Sequence, residues 1–148
     1  MAATTKSDRG SPQGSIESDN RCMLRGLRVL VVEDVGMVAM AVKAMLEAIG
    51  CVVVGMPARL PEAENMARYE TFDGVLLDLN LGGQYAFSVA DILRERDIPF
   101  IIISGYDAGQ FRPDLAGVPQ LQKPFVTSAL EAMLRVVFCA GPNNSAMA

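Results

Sequence analysis

Residues 28–34 read RVLVVED, and this stretch decides the fold. After Arg28 it is an unbroken aliphatic run, which is typical of a strand covered on both faces of a sheet. The acidic pair Glu33 and Asp34 follows directly. In an open sheet of parallel strands, functional groups collect beyond the carboxyl ends of the strands. The stretch therefore predicts a buried strand with an acidic site at its end.

More apolar runs follow along the chain, and segments of helical period separate them. The runs predict strands at 51–55, 74–77, 100–103 and, most weakly, 119–122. Helices are predicted at 36–49, from Pro61 onward, at about 85–96 and at 127–138. Strands that alternate with helices through right-handed crossovers form a parallel sheet with helices on both faces. We therefore expect a three-layer α/β/α sandwich around a five-stranded parallel sheet.

The first and last helical segments carry more detailed expectations. The apolar face of the first comprises Val38, Val42, Met45 and Ile49, and Gly50 is its expected C-cap. In the last, Ser128 and Glu131 have the spacing of a capping box.

Glycine and proline interrupt two of the connections. Residues 106–117 contain Gly109, Pro113 and Gly117, each of which costs a helix interior roughly 1 to 3 kcal/mol. The fourth helix is therefore expected to be short or irregular. Gly82 and Gly83 are interpreted as a flexible turn.

The length and composition of the chain indicate how many domains it forms and where they begin and end. Its 148 residues are expected to form one domain, and 51% hydrophobic residues supply a packed core. Polar segments predict a disordered tail over 1–23 and a flexible tail over 140–148, which leaves 24–139 as the domain. The cysteines at 22, 51 and 139 are too scattered for a disulfide framework. They are interpreted as small hydrophobic residues, with a redox-sensing thiol as the alternative.

Charge and hydropathy exclude several kinds of partner. The net charge is −4 and the pI is about 4.8, so binding to nucleic acid through neutralised phosphates is not expected. No apolar run is long enough to span a membrane, and the polar N-terminus lacks the apolar region of a secretory signal. We therefore expect a cytoplasmic protein.

The residues that can carry chemistry come at four separate strand ends. Asp78 follows the third strand, Ser104 the fourth and Lys123 the fifth, in addition to the acidic pair after the first. The predicted fold brings them to one edge of the sheet. Three carboxylates within about 5 Å of one another repel and need a cation. Mg²⁺ suits these oxygen ligands, and the absence of histidine disfavours softer metals.

A carboxylate beside Mg²⁺ and a lysine is equipped to attack phosphorus. Attack by Asp78 gives an acyl phosphate, and Mg²⁺, Lys123 and the Ser104 hydroxyl are the groups that neutralise the phosphoryl charge.

Taken one at a time, these residues also have interpretations that involve no catalysis. The acidic pair can cap the first helix, and Lys123 can be a solvated charge before a turn. A carboxylate directly after a buried strand is harder to dismiss, because burying its charge is costly without compensation.

Four motifs in this order resemble the receiver domain of bacterial two-component response regulators. They are VLVVEDV at 29–35, LLDLNLGG at 76–83, IIISGY at 101–106 and LQKPF at 121–125. The resemblance covers the whole expected domain and implies the flavodoxin-like strand order 2-1-3-4-5. It implies that a histidine kinase or a histidine phosphotransfer protein donates a phosphoryl group to the chain. The chain then signals to a downstream protein, and catalyses only its own phosphorylation and dephosphorylation.

The resemblance also implies roles for the acidic residues and for Asn80. Asp78 is the phosphoacceptor and a metal ligand. Asp34 binds Mg²⁺ directly, Glu33 binds it mostly through water, and the backbone carbonyl of Asn80 provides a further ligand.

The remaining site residues are implied to contact or report the phosphoryl group. Ser104 turns toward it, and Lys123, before a cis peptide to Pro124, pairs with one of its oxygens. The switch aromatic of the family is replaced here by Gln120, so coupling of Ser104 to a buried ring cannot operate unchanged. The signal must leave the site by another route.

The sequence Ser104-Gly105-Tyr106 resembles the signature of the FAT GUY subgroup of single-domain regulators, which also lacks the switch aromatic. Tyr106 borders the phosphoryl group in this family. We hypothesise that its ring shields the acyl phosphate from water and replaces the missing aromatic. A ring that merely packs on the fourth connection is the alternative.

Two other classes of function are weighed against this interpretation. A pseudo-receiver uses the fold only for docking or dimerisation, independently of phosphorylation. A haloacid dehalogenase-type phosphatase also uses an aspartate nucleophile and Mg²⁺, but it requires a second aspartate where this chain has Asn80.

Overall fold

The computed structural model describes residues 24–104 and 112–139. Within these ranges the strands are β1 (Arg28–Val32), β2 (Val52–Gly55), β3 (Gly74–Leu77), β4 (Asn80–Leu81), β5 (Gln84–Tyr85), β6 (Phe100–Ser104) and β7 (Gln120–Gln122). The helices are α1 (Gly36–Ile49), α2 (Leu60–Tyr69), α3 (Phe87–Glu95) and α4 (Thr127–Phe138). The two expected tails, 1–23 and 140–148, lie outside the described residues.

Five of the strands form one parallel sheet in the order β2-β1-β3-β6-β7. Counted along the chain, these five strands have the order 2-1-3-4-5, so the predicted flavodoxin-like arrangement is confirmed. Val32 pairs with Leu77, the last residues of β1 and β3. The residues that follow these two central strands therefore start side by side at the carboxyl edge of the sheet.

The sheet has a separate core on each face, because successive side chains of a strand point to opposite sides. Leu30 and Leu77 pack on one face with buried residues of α2 and α3. Val31 and Leu76 pack on the other face with buried residues of α1 and α4. Helices thus cover both faces, and the three-layer sandwich is confirmed.

The strand predicted at 51–55 is shorter and more exposed than expected. β2 begins at Val52, whose side chain is exposed, and the rest of the strand is only half-buried. The reason is its place in the fold, because β2 is an edge strand and has one neighbour, β1.

Of two details predicted for the helices, one is confirmed and one was wrong. The predicted face of α1 packs against the core, with Val42 buried and the other three residues at the margin, although Ala39 and Leu46 are buried more deeply than those three. At the start of α4 no side chain caps the helix, so there is no capping box, and Glu131 instead pairs with Arg135 at 3.0 Å. None of the described helices is both long and apolar enough to cross a membrane.

The segment after β3 forms a hairpin that the helical pattern obscured. Tyr85, predicted as the start of the third helix, ends strand β5, and α3 begins two residues later at Phe87. Gly82 and Gly83 form the turn with φ angles of 63° and 95°, a left-handed conformation that a two-residue hairpin loop requires. The turn predicted for this pair is therefore present, as the loop of a hairpin.

The described part of the fourth connection contains one short 3-10 turn at Pro113–Leu115 and no α-helix. This agrees with the short or irregular helix expected there, although residues 105–111 lie outside the described part. Leu115 is fully buried and anchors the 3-10 turn in the core beside α2 and α3.

The described cysteines differ from each other. Cys51 is a buried free thiol, and burial together with the charge of Glu131 raises its pKa. Cys139 is disulfide-bonded, so its interpretation as a small hydrophobic residue was wrong. Spacing along the chain does not show which sulfur atoms meet in space.

Candidate functional site

Three carboxylates meet at the carboxyl edge of the sheet. Glu33 and Asp34 follow β1 and Asp78 follows β3, and one oxygen from each lies within 4.8 Å of the other two. Glu33 and Asp78 are buried, with 1% and 4% of their surface exposed, whereas Asp34 is half-buried. The acidic cluster expected from the strand ends is therefore present.

Lys123 joins two of these carboxylates. Its Nζ donates a hydrogen bond to Oδ2 of Asp78 at 2.9 Å and another to Oε1 of Glu33 at 3.0 Å. Its backbone N–H donates to the carbonyl oxygen of Ser104 at 3.2 Å, which ties the end of β7 to the end of β6. The peptide bond from Lys123 to Pro124 is cis, as the resemblance implies. The alternative in which Lys123 is a solvated charge was wrong.

Burial and hydrogen bonding have opposite effects on the pKa values of Glu33 and Lys123. Burial raises the pKa of Glu33, although the hydrogen bond from Lys123 and the Val35 N–H bond to its Oε2 oppose this effect. For Lys123, burial lowers the pKa, but the hydrogen bonds to Asp78 and Glu33 outweigh it, and the pKa is raised. The ammonium group is therefore kept charged beside the carboxylates.

The site is an open pocket of about 330 Å³. Besides the three acidic residues it is lined by Val35, Asn80, Gly82, Gly83, Ser104 and Lys123. Three carboxylates face a single ammonium group, so an additional cation is favoured electrostatically. The carboxylate oxygens are ligands that Mg²⁺ prefers, and the pocket leaves room for the waters it retains. The residues present therefore fit a magnesium ion.

The other predicted site residues fall into two groups. Ser104 ends β6 and Asn80 begins β4, and both line the pocket as expected. Gln120 begins β7, where it pairs with Ile102 of β6 and is half-buried. Gly105 and Tyr106 lie outside the described residues, so the shielding hypothesis for Tyr106 stays a prediction.

Two contacts of the site come from the hairpin and were missed in the sequence. The backbone N–H of Asn80 donates to Oδ1 of Asp78, and that of Gly82 donates to Oδ2 of Asp34, both at 2.9 Å. A signal was available, because Gly-Gly between two short runs is typical of a two-residue hairpin loop. The apolar pattern of α3 obscured this hairpin signal, because the helical pattern continues back to Tyr85.

A second cluster, which the sequence did not predict, fixes Arg112 on α3. Its guanidinium donates to Asp91 at 2.9 Å and to Asp114 at 2.6 Å, and it lies 5.3 Å from the ring centre of Phe87. Phe87 in turn stacks on Tyr85 at 5.4 Å. Hydrogen bonding to Arg112 lowers the pKa of Asp114 to about 2. The hairpin, α3 and the residues that follow 105–111 are thereby packed together.

Several solved structures have the same fold as this chain. SdrG from Sphingomonas melonis Fr1 is 31% identical, with a TM-score of 0.63 over 76% of this chain and 96% of that one. The receiver domain of HemR from Leptospira biflexa is 30% identical, with a TM-score of 0.63 over 74% and 92%.

A third similar structure was solved with a metal ion. The receiver domain of the sensor histidine kinase PA1611 from Pseudomonas aeruginosa PAO1 is 25% identical, with a TM-score of 0.65 over 75% of this chain and 96% of that one. That structure has a magnesium ion coordinated in its active site cleft.

The comparison with protein families agrees with the structural likeness, whereas no curated protein matches the chain. None of these comparisons tests the FAT GUY subgroup, which stays a prediction. The family described as "Response regulator receiver domain" matches residues 29–135, which is most of the chain. The chain therefore belongs to the response regulator receiver domain family.

Proposed function

We propose that this receiver domain accepts a phosphoryl group onto Asp78 in a reaction that depends on Mg²⁺. The donor is a phosphohistidine of a histidine kinase or of a phosphotransfer protein, and the output is contact with a downstream protein. In this proposal the chain acts in the cytoplasm, binds no nucleic acid and catalyses only its own phosphorylation and dephosphorylation. The observation that carries the proposal is the placement of Asp78, which is buried, adjoins two further carboxylates and is hydrogen-bonded to Lys123.

The proposed step follows from the groups in the pocket. A carboxylate oxygen of Asp78 attacks phosphorus, an O–P bond forms, and the P–N bond to the donor imidazole breaks. The imidazole leaves as the neutral base after taking up a proton. In this step Lys123 pairs with a phosphoryl oxygen, and Ser104, which lines the same pocket, offers its hydroxyl. When bound by Glu33, Asp34 and Asp78, Mg²⁺ supplies neutralisation of the charge on the carboxylates and the phosphoryl oxygens.

The hairpin geometry disfavours the phosphatase alternative. A phosphatase of that type needs a second acid two residues after the nucleophile, and this position is Asn80. The side-chain oxygen of Asn80 accepts a hydrogen bond from the N–H of Gly83 at 2.8 Å. It therefore serves the turn, and an amide cannot exchange a proton with a leaving group as an acid would.

Removing the metal is expected to abolish phosphorylation. Incubation with acetyl phosphate and Mg²⁺ should add a single phosphoryl group, which intact-mass spectrometry detects and alkali removes. With EDTA in place of Mg²⁺ no adduct should form, because the carboxylates then repel the incoming phosphoryl group.

The same measurement separates the rival functions. Release of many phosphates per protein molecule would indicate a phosphatase. Absence of any adduct, with acetyl phosphate and with phosphorylated donor proteins, would indicate a docking module and contradict the proposal.

An exposed apolar surface beside the site supports a protein as donor. Val35, which lines the acidic pocket, and Met37, two residues further on, are exposed by 47% and 84%. Next to Lys123, α1 and Phe125 line a mostly apolar groove of about 270 Å³. Exposed apolar patches of this kind mark protein interaction sites. We infer that the donor protein contacts this surface while its phosphohistidine reaches Asp78.

Met37→Gln is expected to slow transfer from a phosphorylated donor protein about tenfold, because it weakens an apolar contact at the interface. Phosphorylation by acetyl phosphate should keep its wild-type rate, since this small donor does not use the surface. Tyr69→Gln provides the matched control, because Tyr69 is 72% exposed and ends α2. Equal slowing with both donors, or equal slowing in the control, would contradict this placement of the donor.

A further inference from the structure

The turn of the β4–β5 hairpin reaches across the fold to the metal-binding cluster. The N–H of Gly82 donates a hydrogen bond to Oδ2 of Asp34 at 2.9 Å, and the two residues are 48 positions apart. Asp34 is the least buried of the three clustered acids. Of the three, it therefore has the least surrounding protein to hold its carboxylate in place.

Contacts at both ends of the hairpin keep it in this position. A hairpin of two two-residue strands is only marginally stable by itself. Here Leu79 and Leu81 are buried at its base, and the N–H of Ala86 donates to the carbonyl oxygen of Leu79 at 2.6 Å. At the other end, the N–H of Gly83 donates to Oδ1 of Asn80. Both ends of the hairpin are thus fixed by contacts that do not involve Asp34.

We propose that the peptide N–H of Gly82 is a positioning group for Asp34. By holding Oδ2 it sets the direction of the carboxylate and leaves the other oxygen to face a cation. Hydrogen bonds from outside the ligand set orient metal ligands in this way, and their loss typically costs 10- to 100-fold in affinity. The inference rests on the proposed function, because it assumes that the cluster binds Mg²⁺.

Gly82 also has a purely structural explanation, in which glycine is required only for the backbone conformation of the turn. Its φ of 63° is left-handed, so glycine is favoured there whatever the turn contacts. Asparagine also tolerates this conformation and retains the N–H. A Cβ at this position would lie 3.9 Å from Oδ2 of Asp34, an ordinary van der Waals contact. Proline, in contrast, removes the N–H and requires a φ near −65°.

The test compares Mg²⁺ affinity in the full chain by isothermal titration calorimetry. Gly82→Pro is expected to weaken Mg²⁺ binding about tenfold, whereas Gly82→Asn should stay within about twofold of the wild type. Equal affinities in Gly82→Pro and the wild type would overturn the proposal. A wild type that does not bind Mg²⁺ would instead contradict the proposed function.

A second measurement needs neither metal nor a proline variant. In the metal-free wild type the amide protons of Gly82 and Gly83 should both be protected from hydrogen exchange, as NMR detects. In Asp34→Ala only Gly82 should lose protection, since Gly83 donates to Asn80. Unchanged protection of Gly82 in this variant would overturn the proposal, even if Gly82→Pro does not fold.

Discussion

Asp78→Asn is expected to accept no phosphoryl group from acetyl phosphate or from a phosphorylated donor protein. An amide oxygen is a poor nucleophile, and the substitution also places an NH₂ group in the acidic cluster, where a carboxylate now accepts a hydrogen bond from Lys123. Intact-mass spectrometry under conditions that modify the wild type measures the effect directly. Ser104 and Asp34 line the same pocket and remain intact in this variant.

Asp97→Asn is a matched control for this substitution. Asp97 is an exposed residue just beyond α3 with a φ of 57°, a conformation that asparagine also adopts. The control should be phosphorylated like the wild type. Retention of the adduct in Asp78→Asn, on any residue, would show that the phosphoacceptor lies elsewhere.

Lys123→Met is expected to cause the largest loss of stability among single substitutions at the site. The Nζ atom donates to Glu33 and Asp78, whose side chains are 0% and 6% exposed. Removing one partner of a buried ion pair typically costs 3 to 5 kcal/mol, because a buried charge is left uncompensated. Since Lys123 itself is 26% exposed, we expect about 3 kcal/mol at neutral pH, measured by urea denaturation without divalent ions.

Acid and Mg²⁺ should each recover part of this loss. Burial already raises the pKa of Glu33, and without the opposing hydrogen bond from Lys123 it rises further. The loss of stability caused by the charged Glu33 is absent when the pH is below 4.5, the ordinary pKa of a glutamate. It is complete once the pH exceeds the raised pKa of Glu33. The deficit should therefore shrink in acid. Mg²⁺ should also reduce it, because an ion that binds only the folded state stabilises that state.

Lys43→Met is the control for the loss of one lysine. Lys43 lies on α1 with its side chain 36% exposed and forms a surface pair with Glu47 at 3.9 Å. Exposed pairs of this kind contribute at most about 0.5 kcal/mol. Similar losses of stability in the two variants would contradict a specific role of Lys123 in compensating the acidic cluster.

Most of the sheet could be predicted from the sequence because its signals are local. The buried runs RVLVV and GVLL end where β1 and β3 end, so the positions of the acidic pair and Asp78 followed from parallel topology alone. Local patterns failed where two structures share one pattern. Tyr85 fits the start of an apolar helix as well as the end of a hairpin, and its pairing with Asn80 shows that the hairpin forms.

The amino-acid pattern was thus sufficient for the sandwich and for the strand ends that bring the acidic residues and Lys123 together. Tertiary structure alone decided how those groups are joined. Lys123 bonds to residues 45 and 90 positions away, and Gly82 bonds to Asp34 across 48 positions. No local pattern encodes such distances, because they depend on how every intervening strand and helix packs.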